Sequence, residues 1–78
     1  MAKKGDLAIC GINSLGIVTE DEPIKIFYAD GNSSIAYVGF HLTDEFAPLG
    51  SLWSSRNPRV VGHIDCDINE FLKFFGIK

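Results

Sequence analysis

The sequence predicts a mainly β domain finished by a short C-terminal α-helix, and three observations carry that expectation. Residues Ile24 to Leu42 read as two strands joined by Asp30-Gly31-Asn32, a hairpin signal, because these residues tolerate the positive φ of a tight turn. Short apolar segments punctuated by Gly, Asn and Pro recur from Asp6 to Ile64, as expected of short strands. From Asp67 the pattern changes: Ile68, Phe71, Leu72 and Phe75 fall on one stripe of a helix.

Five strands are expected. Asp6-Leu7-Ala8-Ile9-Cys10 alternates and ends at Gly11, and Leu15-Gly16-Ile17-Val18-Thr19 follows the turn residues Asn13-Ser14. Gly16 inside the second strand marks a bulge or a close backbone approach. Glu20-Asp21-Glu22-Pro23 is a solvated connection, since Pro cannot continue a central ladder. Ile24 to Ala29 is dense in β-branched and aromatic residues. In the returning strand, Ala36, Val38, Phe40 and Leu42 form an apolar face expected to look into the core with Phe27. Ile35, Tyr37, Gly39 and His41 form the opposite face. Thr43 to Phe46 suits a single helical turn capped by Thr43, closed by Pro48 and Gly50. Residues 51–57 read as polar and irregular apart from Leu52 and Trp53, and Pro58 to Ile64 as the last strand, with Pro58 where a missing donor is tolerated. Asp67 followed by Glu70 resembles a capping box, and Gly76 suits a left-handed stop. Eight residues of helix do not stand alone, so the stripe must dock, either over an open end of its own sheet or on a second copy.

Five short strands, a central hairpin and one helical turn before the last strand resemble an SH3-like small barrel. Gly5-Asp6 before the first strand and Gly16-Ile17-Val18 in the second are similar to the opening of KOW-type barrels. The resemblance covers roughly Gly5 to Ile64 and implies a five-stranded SH3-like barrel with an appended helix; it transfers no catalytic residue. An OB-like barrel competes, but it needs a helix where Asp30 to Ser34 leaves no room. The architecture is also similar to small proteins of marine cyanobacteria and their phages.

At 78 residues the chain has room for one hydrophobic core, and a domain this small is marginal and often self-associates. The sequence is 46% hydrophobic, and six Phe, two Tyr and one Trp are many aromatics for the length. Either the core is rich in Phe or part of that surface is kept for a partner. The net charge of −3 disfavours nucleic acid, whose binding draws on basic surface, although a local patch would suffice. No apolar run is long enough to span a membrane, and the first residues do not read as a signal peptide, so a cytoplasmic location is expected. Cys10 and Cys66 are expected as reduced, buried thiols.

The first candidate site is Leu52 to Arg59. Trp53 offers a flat stacking face, and Arg56 and Arg59 can grip carboxylates or phosphates; alternatively Trp53 plugs the end of the barrel. Tyr28 and Tyr37 form the second, an outward aromatic pair on facing strands that either binds a partner or only stabilises the sheet. His63-Ile64-Asp65-Cys66-Asp67 matches no standard zinc spacing, and Asp67 is better explained as a cap, so no metal and no cofactor are expected. No nucleophile elbow, phosphate loop or carboxylate pair is present, which disfavours an enzyme. A self-associating interaction or structural domain is the expected function, with a nucleic-acid-binding barrel built on Trp53, Arg56 and Arg59 as the alternative.

Overall fold

The computed structural model describes residues 2–11, 14–43, 47–74 and 76. Six strands and one helix follow one another: β1 (Asp6–Cys10), β2 (Ser14–Val18), β3 (Ile24–Phe27), β4 (Ser33–His41), β5 (Leu52–Ser55), β6 (Arg59–His63) and α1 (Ile68–Phe74). All strand pairs are antiparallel. The order is β3-β4-β2-β1-β6, with β5 also on β4. The mainly β class therefore holds, but the sheet stays open and has six strands where a closed barrel of five was expected. The additional strand is β5, within the segment read as irregular. Its serines have little strand propensity, and it is held by tertiary pairing, Gly39 opposite Trp53 and Tyr37 opposite Ser55. The expected helical turn at Thr43 to Phe46 falls largely on 44–46, outside the described residues, as does the Phe75 position of the helical stripe.

β4 organises the sheet because it has three partners. Its even-numbered residues turn their backbone groups to one edge. Val38 O accepts from Thr19 N at 3.0 Å, Asn32 O from Tyr28 N at 2.8 Å, and Leu42 N donates to Leu15 O at 3.0 Å. β2 and β3 thus lie in tandem on this edge, interrupted by the acidic connection that ends in Pro23. The odd-numbered residues face the other edge, where His41 N donates to Ser51 O at 2.8 Å and β5 follows.

Both faces of the sheet are covered at its centre, so the expectation of one inner and one outer face for β4 is corrected. On one face Ala2, Ala8, Val18, Tyr37 and Trp53 pack together, with Cys10 beside them. Trp53 is fully enclosed, and its indole N–H donates to Ser14 O at 2.9 Å. A Cβ on Gly16 would lie 2.4 Å from Trp53 Cγ, so the glycine is the floor on which the indole rests. On the other face Ile17, Leu42, Ile64 and Leu72 form a second cluster, supported by Leu7, Leu15, Phe40, Ile68 and Phe71. The helix accordingly docks on its own sheet. Asp67 Oδ1 accepts from Asn69 N at 2.8 Å, the first-turn capping bond, and Gly76 closes the end with φ of 78°.

Gly39 meets a stricter limit. A Cβ there would fall 1.8 Å from Ile17 O, in backbone that cannot swing aside, because β2 is paired with β4 here, Val18 opposite Gly39. β6 rejoins β1 through a register shift between Leu7 and Ala8. The pairing is reinforced by His63 Nδ1 and Asp6 Oδ1 at 2.6 Å, while Asp6 Oδ2 accepts from Lys3 N at 2.8 Å.

Candidate functional site

The residues expected to bind a partner are separated by the fold. Trp53 and Tyr37 lie in the same buried cluster, 0% and 9% exposed, so neither presents a face for stacking. Strand alternation explains it: Trp53 is the inward residue of β5, and Tyr37 is on the face of β4 that the indole covers. Of the two readings offered for Trp53, the stacking platform is therefore absent, and the indole is enclosed in the core on one face of an open sheet rather than at the end of a closed barrel. Arg56 and Arg59 are exposed on either side of Pro58, with no aromatic platform between them.

Tyr28 is 47% exposed, but it does not pair with Tyr37. β3 meets β4 as Ile24 opposite Ala36, Lys25 opposite Ile35, Ile26 opposite Ser34 and Phe27 opposite Ser33. Tyr28 lies beyond Phe27 at the tip of the hairpin, while Tyr37 lies at its base. The tip itself is well built. Gly31, with φ of 88°, supplies the left-handed residue, and Gly31 N donates to Tyr28 O at 3.0 Å. Asp30 accepts from Asn32 N and Asn32 Nδ2, both at 2.9 Å, and the Tyr28 hydroxyl bonds to Ser34 Oγ at 2.8 Å.

This hairpin gathers four of the exposed large apolar side chains of the described residues, Ile24, Phe27, Tyr28 and Ile35. Phe27 is 72% exposed, Ile35 63% and Ile24 44%. The outward tyrosine pair required Phe27 to point inward. It does not, because β3 and the first half of β4 extend beyond β5, leaving two strands with no layer over either face among the described residues. Lys25, Phe27, Ser33 and Ile35 share one face, and Lys25 Nζ sits 5.5 Å from the centroid of the Phe27 ring. Ile24, Ile26, Tyr28 and Ser34 share the other. Sequence reasoning placed Ile35 on the face of β4 away from the core but missed Phe27 and Ile24 as surface residues; the surplus of aromatics for the chain length was the signal for them.

The rest of the surface holds less. A cavity of about 210 Å³ lies between the start of α1 and the sheet, lined by residues that include Lys4, Thr19, Phe40 and Leu72. His63 is committed to Asp6, and Asp67 to the helix start. Among the described residues no group of three or more His, Cys, Asp or Glu side chains could hold a metal ion. Cys10 is half-buried, but Cys66 is exposed, contrary to expectation, because it precedes α1 in the surface turn. His41 Nδ1 and Thr43 Oγ1 are buried without a hydrogen-bond partner among the described residues. No described helix is long and apolar enough to cross a membrane. The chain matches no family model, no curated protein and no solved structure.

Proposed function

We propose that this chain is a small protein-interaction module that self-associates through the β3–β4 hairpin. The observation that carries the reading is the exposure of Ile24, Phe27, Tyr28 and Ile35 on one two-stranded projection. A two-stranded ribbon is marginally stable in water, and apolar side chains on both of its faces gain most from a layer supplied by another chain. The finer fold reading, an SH3-like barrel left open, is supported by the succession of antiparallel neighbours and by the return of β6 to the edge of β1. In this reading the role is binding rather than catalysis, and the two arginines belong to the solvated surface, since Trp53 offers nucleobases no stacking face.

Light scattering across the micromolar range tests the proposal. A mass rising toward twice the 8.6 kDa of one chain supports it. A single-chain mass at every concentration overturns it.

A further inference from the structure

The strand edges of the molecule are not equally protected, and the difference points to one mode of assembly. β6 is blunted by Pro58, by the charge of Arg59 and by its register shift, all devices that discourage edge pairing. β3 is only four residues long, follows Pro23 and carries Lys25 at its centre. β5 is equally short and has one exposed large apolar residue, Leu52. The first half of β4 has none of these protections. Ser33 and Ile35 are odd-numbered, so their backbone groups point to the edge that β5 occupies only from Tyr37 onward. What remains is a short free edge with no proline, charge or bulge, flanked by exposed Ile35 and Phe27.

We infer that this edge pairs with the same edge of a second copy, antiparallel and about a two-fold axis at Ser34. The inference rests on the self-association proposed above and specifies its geometry. The register follows from what is free. Tyr37 already faces Ser55, so Ser33 and Ile35 are the only residues of β4 with outward groups to offer. The antiparallel arrangement that satisfies both sets Ser33 opposite Ile35 of the second copy, Ile35 opposite Ser33, and Ser34 opposite Ser34. The interface is then isologous, and the two hairpins become one four-stranded sheet. On one face each Ile35 lies between its own Lys25 and the Ser33 of the other copy, with Phe27 next in the row. Charge is complementary as well. Asp30, at the tip of one hairpin, is carried toward the point where β5 of the other copy ends, beside exposed Arg56.

Two substitutions test the arrangement by sedimentation and by oxidation. Ile35→Pro removes an N–H for which no described residue is an acceptor, and proline is tolerated on edge strands. Its circular dichroism should match the native chain while dimer dissociation rises at least tenfold. Ser34→Cys, in a Cys66→Ser background, should oxidise to a covalent dimer, because directly opposed residues of a non-hydrogen-bonded pair lie about 4.5 Å apart at Cα. Ser54→Cys on β5 serves as the control and should not cross-link. A dimer that survives Ile35→Pro and fails to cross-link through Ser34 overturns this geometry while leaving self-association standing. A monomer at all concentrations removes both. Should Ile35→Pro disturb the fold, the Ser34 and Ser54 cross-links decide alone.

Discussion

Gly16 lies beneath the indole of Trp53, and replacing it with alanine is the sharpest probe of the packing described above. The added Cβ would sit 2.4, 2.5 and 2.7 Å from Cγ, Cδ2 and Cδ1 of the ring. Carbon atoms in good contact are about 3.5–4.0 Å apart, so the indole must retreat by roughly 1 Å. Trp53 has no solvent gap into which to retreat, and its N–H is anchored on Ser14 O at 2.9 Å. Lengthening that contact by the same distance ends the hydrogen bond. Overpacking costs about 1–3 kcal/mol, and a buried donor left unsatisfied about 1–3 kcal/mol more, which sets the loss at roughly 2–6 kcal/mol. A domain of this size holds only about 4–12 kcal/mol in total. Urea unfolding followed by circular dichroism measures the difference, and the melting temperature should fall by about 10 °C or more. The cause is isolated by repeating Gly16→Ala in a Trp53→Leu background, with sodium sulfate added to keep both variants folded. There the alanine should cost at least about 1 kcal/mol less, because residues in contact couple by about 0.5–3 kcal/mol. An equal cost in both backgrounds would refute the claim that the indole is what excludes a side chain at position 16.

Three further outcomes follow from the same contacts. Gly39→Ala should prevent stable folding, because its Cβ would overlap the Ile17 carbonyl; a folded variant with native-like melting would contradict this close approach of β4 to β2. Asp67→Ala should lower stability by about 1 kcal/mol, the worth of an N-cap, and reduce the helical signal in circular dichroism. Trp53 fluorescence should be blue-shifted and protected from acrylamide, rising in accessibility only on unfolding; ready quenching of the native chain would place the indole outside the core.

Much of the strand framework was legible from sequence because it depends on local signals. Asp30-Gly31 announced its own turn, and Asp67 with the Ile68, Phe71 and Leu72 stripe announced a capped helix that must dock, though whether on its own sheet, as it does, or on a second copy stayed open. β5 escaped because a segment such as Leu52-Trp53-Ser54-Ser55 becomes a strand only when β4 offers it an edge. The inward and outward sides of β4 were misjudged for a related reason. Alternation predicts one buried face, yet here Trp53 covers one face of the sheet and α1 the other, so Tyr37 and His41 are buried along with Val38. At the hairpin the error ran the opposite way. Phe27 is apolar enough for a core, but none of the described residues covers it.

Ile17 and Val18 are neighbours in sequence, fully enclosed, and belong to different clusters on opposite sides of the sheet. A strand that is apolar on both sides loses the usual guard against slippage, since sliding it by one residue exchanges one buried set for another. Alignment must then come from shape rather than polarity. In β2 only position 16 lacks a side chain, and only there can the indole lie flat; one step either way would put Leu15 or Ile17 beneath it. The glycine thus acts as a notch that indexes the whole sheet, a single missing methyl group marking where β2 must stop relative to its neighbours.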